Sequence, residues 1–308
     1  MDPRKRWMTL AWRQGQGWRV AAPRPVGDLA TLLARLAALA NRGPVVLGVD
    51  LPLGLPRAYA ARHAREPDFP AFLRGLADRP DFLTVCATLA ETGPDRPFYP
   101  ARGLRGMTRA AHAAALGLDG AADLCRACDR ATAERPAGAP LFWTLGANQS
   151  GKAAITAWRD LLLPALALPM PPLLWPFAGD LRALLAPGRT VIAETYPAEA
   201  LRHLGLRVNG SKRRQADRAR LAPALAAAMT RLGATPEPAL ARGLSEGFGA
   251  DGAGEDRFDS LLGLLCVLNV LAGNRPDGAP DDPWIRRWEG WVLGQTALPR
   301  PAIPPPLR

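Results

Sequence analysis

The clearest pattern along the chain is an apolar run that ends in a carboxylate. Residues 45–56 read VVLGVDLPLGLP. Val45, Val46, Leu47 and Val49 form the continuous apolar stretch of a strand covered on both faces, Asp50 interrupts it, and Pro52 and Pro56 prevent its continuation. The pattern recurs in TVIAETYP, 190–197, where Glu194 follows Val191, Ile192 and Ala193 and Pro197 closes the segment. A third acidic pair, Asp256 and Asp259, opens the most apolar helical stretch, at about 255–272. An ionised carboxylate beside such a run is costly unless it is paired or holds a metal.

The rest of the pattern supplies the frame. Residues 5–13 and 17–22 read as a β-hairpin turned by Gly15 and Gly17. A helix is predicted over 28–41, with Asp28 as N-cap and Leu29, Leu32, Leu33 and Leu36 at helical spacing. Residues 57–140 are rich in Arg, Pro and Gly, with short helical patches and no clear strand, and read as a helical, loop-rich insertion. Short apolar runs follow at 141–145 and 173–177. Helices are predicted near 152–166, 198–204 and 214–232, and a Gly-rich loop at 247–254 leads into the 255–272 helix. A short closing helix with three tryptophans spans 284–293, before a Pro-rich tail, 299–308. The alternation of strands and helices predicts an α/β fold in one domain, 1–298. Asp50 and Glu194 then lie at the C-terminal ends of strands, where open sheets collect their functional groups.

Composition changes the picture in three ways. The chain has 308 residues, 48% of them hydrophobic, but no run of about 18 apolar residues, so no membrane span and a cytoplasmic location are expected. The net charge of +11 points to a polyanionic partner such as nucleic acid, although an Arg-, Ala-, Gly- and Pro-rich chain is also what a GC-rich genome produces. Four cysteines are too few for a disulfide scaffold. Cys125 and Cys128 form a lone CxxC; a structural zinc needs two more ligands, and neither Cys86 nor Cys266 lies at a recognisable spacing. His63, His112 and His203 receive no catalytic role.

Candidate chemistry centres on the acids. Two divalent ions can activate water and stabilise a leaving oxygen in phosphodiester hydrolysis, and Mg²⁺ or Mn²⁺ prefers oxygen ligands. Asp50, Glu194, Asp256 and Asp259 are the expected metal ligands and catalytic residues. Asp256 can equally serve the helix start and Asp50 a turn, whereas Glu194 is harder to explain so, because Glu is a poor turn former. Residues 146–152, GANQSGK, match GxxxxGK, but Ala153 replaces the hydroxyl that ligates Mg²⁺ in a P-loop. Asn148, Gln149 and Lys152 are therefore read as substrate-phosphate contacts, with a nucleotide-binding phosphotransferase as the alternative. In SKRRQADRAR, 211–220, Lys212, Arg214 and Arg218 share one side of a helix; such a run is commonly a solvated face and becomes a phosphate-binding face beside an acidic metal site.

VDLPLGLP, AETYPAEALRHLG and DRFDSLLGLL together resemble the domain of unknown function 429 family, regarded as predicted nucleases with a ribonuclease H-like fold. The last of these segments is also similar to the final acidic motif of Holliday-junction resolvases. The resemblance runs from about residue 7 to 272. It implies a mixed sheet whose first three strands are antiparallel, flanking helices, and metal ligands at Asp50, Glu194 and Asp256 or Asp259. That fold normally places its first catalytic Asp in the opening strand, and Asp2 is the only candidate here. The expected activity is a metal-dependent nuclease; a non-catalytic nucleic-acid-binding protein is a further alternative.

Overall fold

The computed structural model describes residues 5–103, 105–146 and 150–300. Asp2, Asn148, Gln149 and the tail from residue 301 lie outside them. The protein is a mixed α/β chain that divides into two compact units, one built from 1–50, 181–278 and 292–294, the other from 51–180, 279–291 and 295–308. No helix of the described residues is long and apolar enough to cross a membrane.

The first unit carries the predicted strands. Ala11–Gln14 pairs antiparallel with Gly17–Val20 across a two-residue turn in which Gly15 has a positive φ of 60°. Gly17–Val20 takes a second, parallel partner from Ala234–Pro236. Trp7–Met8 pairs antiparallel with Arg24–Pro25 in a separate small sheet. The opening strands thus do pair antiparallel, but among the described residues they do not join Val45–Val49 in one sheet. Val45–Val49 instead lies parallel to Thr190–Glu194, residue for residue from Val45 opposite Thr190 to Val49 opposite Glu194. Parallel strands need a long crossover, and nearly the whole intervening chain forms it.

Helices cover this parallel pair. Leu29–Ala40 starts where Asp28 accepts the Thr31 N–H at 2.7 Å, and Leu32, Leu33, Leu36 and Ala40 form its buried face. Such a cap stabilises a helix by about 1 kcal/mol. Pro197–His203 begins with its proline at the first helical position, where a missing N–H is harmless. The segment expected as one helix at 214–232 is two, Gln215–Arg220 and Ala222–Arg231, divided at Leu221 just ahead of Pro223. Gly254–Leu271 is buried nearly all round, as its sequence predicts.

In the second unit the 57–140 segment forms short helices, Arg57–His63, Phe69–Gly75 and Arg109–Ala115, with short 3₁₀ turns after the second and the third. Its core is aromatic: Phe82 meets Phe98 edge-on at 6.0 Å, and Phe98 meets Phe142 at 5.3 Å. Ser150–Ala157 takes in Gly151 and Lys152 of the Gly-Lys motif and continues into a π turn, Trp158–Leu162. The closing helix is a single π turn, Ile285–Glu289, stopped by Gly290 at a φ of 65°. Cys86, Cys125, Cys128 and Cys266 are buried free thiols. Burial, with the Asp129 charge, pushes the Cys125 thiol up to about 12, so it is a poor nucleophile at neutral pH.

Candidate metal centre

The site is built where Val45–Val49 and Thr190–Glu194 end together. Thr195 donates its N–H to the Val49 carbonyl at 2.8 Å, extending the ladder past Glu194 and bringing Asp50 alongside. Glu194 is 6% exposed. Gly254–Leu271 crosses above the pair with one stripe of residues spaced four apart, Asp259, Gly263 and Val267. Val267 meets Gly48: a methyl group on Gly48 would stand 2.9 Å from a Val267 methyl and 2.9 Å from the Thr195 methyl. Gly263 meets Thr195, where an added methyl would stand 3.2 Å from the hydroxyl. Both glycines are therefore close-approach positions. One turn further along the same stripe, Asp259 extends past the strand ends toward Asp50.

The electrostatics report the gathering. The Asp50 carboxyl is pushed up to about 7, first by the protein crowded around it and then by the negative charge of Asp259, with Lys212 opposing and Glu194 adding to the rise. Asp50 is itself exposed to solvent, so its loss of hydration is incomplete. It makes no hydrogen bond or ion pair among the described residues. Asp259 is also raised, chiefly by burial and against the pull of Lys212. One of its oxygens, Oδ1, is buried and lacks a hydrogen-bond partner. The other accepts from Lys212 Nζ at 2.5 Å.

Lys212 does not occupy a remote phosphate-binding face. Its ammonium stands between Asp259 and Glu255, the latter at 3.5 Å. Burial alone would lower its affinity for a proton; Asp259, Glu255 and Asp50 more than offset this and raise it. Asp256 is half-buried on the neighbouring face of the helix, and its carboxyl is raised by burial while Lys5 pulls it down. The structure thus brings Asp50, Glu194, Asp259 and Lys212 into one electrostatic group and places Asp256 at its margin.

Arg218 has a different task from the expected one. It is 2% exposed, and its guanidinium donates to the carbonyls of Gly247 at 2.8 Å, Gly249 at 2.7 Å and Lys212 at 2.5 Å. All three groups of donors are engaged, so this side chain anchors backbone and is not free for phosphate. Arg214 is exposed just before Gln215–Arg220 and keeps its guanidinium in solvent. Lys152 belongs to the second unit; the Gly151 amide just before it donates to the Trp143 carbonyl at 3.2 Å. The residues that sequence reasoning passed over are Glu255, Gly48 and Gly263. An isolated glycine inside a strand pattern was the available signal for the second of these.

Among the described residues Asp50, Glu194 and Asp259 do not bring three ligand oxygens within 4.8 Å of one another; the buried, unpartnered Asp259 Oδ1 is a donor suited to a hard divalent cation, and Lys212 is a resident positive charge beside it. The fold and site therefore define a mixed α/β protein with electrostatically coupled acids and a lysine at the C-terminal rim of two parallel strands. Residues 2–135 match the model of the family described as "Protein of unknown function (DUF429)". The matched stretch takes in Asp50 and the PLGLP motif and ends before Glu194, Asp256 and Asp259. Nothing matches among curated proteins or among solved structures.

Proposed function

We propose that the protein is a metal-dependent phosphodiester hydrolase acting on nucleic acid, a nuclease of ribonuclease H-like kind. The observation that supports this reading is the buried, unpartnered Oδ1 of Asp259 at the ends of the two strands, with Asp50 near enough that burial first, and then the Asp259 and Glu194 charges, raise its carboxyl. Carboxylates that raise one another's proton affinity are unfavourable to fold around, and a bound cation removes the conflict. Asp50, Glu194 and Asp259 would hold Mg²⁺ or Mn²⁺, with Asp256 at the edge of the set. Such an ion, when bound, supplies an activated water and stabilises a leaving oxygen.

The chain's own residues contribute the rest. Lys212 Nζ, shared between Asp259 and Glu255, faces negative charge as it develops on a phosphate oxygen. Arg218 holds the Lys212 main chain in place. Arg214, exposed, is positioned for a phosphate further along the strand, and the chain's +11 charge favours encounter with a polyanion. Four free thiols are compatible with the reducing cytoplasm, where we place the reaction.

The test is cleavage of a panel of DNA and RNA substrates with Mg²⁺, with Mn²⁺ and with chelator. Activity is expected only with metal and is expected to be lost in Asp50→Asn. Equal activity in that variant overturns the assignment.

A further inference from the structure

The N-terminal segment carries a second feature that the acidic centre does not use. Residues 5–27 hold five cations, Lys5, Arg6, Arg13, Arg19 and Arg24, three tryptophans, Trp7, Trp12 and Trp18, and no acid. The hairpin sorts them by face. In its register Arg13 is opposite Trp18 and Ala11 opposite Val20; Val20 in turn neighbours Pro236, and Trp18 neighbours Ala234. Val20 is fully buried and Ala234 nearly so, so this is the inward face of the three-stranded sheet.

The other face carries Trp12 opposite Arg19, and Arg19 next to Thr235. Trp12 is 38% exposed, the one exposed aromatic side chain among the described residues. Thr235 is exposed beside the pair. Two of the three tryptophans already carry a guanidinium on their rings: Arg13 lies 4.3 Å from the Trp18 centroid, and Arg257 lies 4.4 Å from that of Trp7. Trp12 has no such cover. Neither its ring nor the Arg19 guanidinium makes a hydrogen bond, ion pair or ring contact among the described residues.

We propose that this outward sheet face binds single-stranded nucleic acid, a base stacking on Trp12 and an adjacent phosphate pairing with Arg19. A flat aromatic ring stacks on any base whose own face is uncovered, which excludes a base inside a duplex. A cation one cross-strand position away matches the charge that accompanies each base. The sheet is rigid because its middle strand is paired on both sides, so little ordering is needed on binding. The inference deepens the reading above: it rests on nucleic acid being the substrate and selects its single-stranded form.

The test uses the full chain without metal, so that binding is read apart from cleavage. Fluorescence anisotropy of a labelled short single strand and of a duplex of equal length is measured in chelator over a range of salt. The wild-type chain is expected to prefer the single strand. Trp12→Ala is expected to weaken that binding roughly tenfold, and Trp12→Phe to retain most of it. Arg19→Gln is expected to lower the salt slope by about 0.7, one phosphate contact. Equal binding by Trp12→Ala with unchanged circular dichroism overturns the proposal. So does preference for the duplex, or displacement of the strand by polyglutamate as readily as by unlabelled DNA. Single-strand binding through Trp12 without cleavage under any metal removes the hydrolase reading and leaves this inference standing; metal-dependent cleavage with normal binding in Trp12→Ala does the reverse.

Discussion

Replacing Lys212 with methionine separates a cation built into the acidic centre from a lysine that merely touches substrate. Its ammonium lies 2.5 Å from Asp259 and 3.5 Å from Glu255, and its charge also reaches Asp50. A divalent ion held by the same carboxylates has to tolerate that charge nearby. Two unit charges about 4 Å apart interact by about 1 kcal/mol under full water screening. That strong screening is the appropriate discount, because the lysine side chain is 39% exposed. The double charge of the ion brings the repulsion to about 2 kcal/mol. Lys212→Met is therefore expected to bind Mn²⁺ roughly 30-fold more tightly than the wild type. Methionine keeps most of the apolar stem and removes only the charged end.

The assay is calorimetric titration of Mn²⁺ into metal-free protein, with free Mn²⁺ counted by electron paramagnetic resonance. On the proposed function cleavage should move the opposite way, because the ammonium that would compete with the ion would also face the phosphate. Tighter metal with slower turnover is thus the signature. Unchanged or weaker Mn²⁺ binding in a folded Lys212→Met protein would refute the reasoning, since the carboxylates would then not be gathered around an ion. A lysine that only contacts phosphate would alter substrate affinity and leave metal affinity untouched.

Three further outcomes follow from the same structure. Asp50 is raised to about 7, so its ionised form subtracts stability above that pH, and the deficit fades as pH falls toward the ordinary carboxylate range. Asp50→Asn should therefore raise the melting temperature of metal-free protein at pH 8 and raise it little near pH 4; a lower value at pH 8 would refute this. His112 is fully buried, binds the Pro97 carbonyl through Nε2 at 2.7 Å, and is held down to about 4 by burial. The unfolded chain takes up that proton near pH 6.5, so stability is complete above 6.5 and declines by roughly 3 kcal/mol as pH drops through the folded value. His203, depressed in the same direction by burial and by Arg275 and Arg202, adds to the decline. His112→Gln should shrink the difference between urea midpoints at pH 7 and pH 4.5, and an unchanged difference would count against the account. Arg218→Met leaves three backbone carbonyls unpartnered and should cost at least about 3 kcal/mol in thermal or urea unfolding. A loss under about 1 kcal/mol would show that the anchor is dispensable.

What the sequence made legible was local. The helix over 28–41 is Leu29–Ala40 because its cap and its apolar spacing sit within a few residues of each other. The two strands ending in Asp50 and Glu194 are neighbours in parallel, and the apolar helix beginning near 255 does carry Asp259 to their ends. What escaped was set by contacts distant along the chain. SKRRQADRAR reads as one helical face, but its helix begins only at Gln215, so Lys212 lies in the preceding loop and reaches Asp259, 47 positions away. Arg218 was indistinguishable from its neighbours until its partners, 29 and 31 positions on, were in place. Charge and spacing identify such residues as polar; only the fold decides which of them become buried anchors.

Those anchors explain how a loop of three residues in the left-handed region can support the centre. Gly247, Phe248 and Gly249 have φ values of 59°, 62° and 88° in succession. The middle residue is a phenylalanine, for which this region costs on the order of 1–2 kcal/mol. Burial of its ring against Phe258, 6.0 Å between centroids, offsets that cost. The three carbonyls then meet two guanidiniums: Arg218 takes the first and third, and Arg257 takes the second at 2.7 Å. The same Arg218 holds the Lys212 carbonyl, so the loop ahead of the helix and the loop bearing the lysine are fixed by one side chain. The position of the ammonium relative to Asp259 is thereby set by backbone. This rigidity has an electrostatic consequence. When ionised, Asp50, Glu255 and Asp259 bring three negative charges together, with Lys212 against Asp259 and Glu255 and Arg213 3.8 Å from Glu255, at the rim of a chain whose net charge is +11. Carboxylates on a fixed frame cannot relax by spreading apart, so each negative charge raises the proton affinity of its neighbours. The raised proton affinity of Asp50 is one answer, and the ammonium of Lys212 on Asp259 is another.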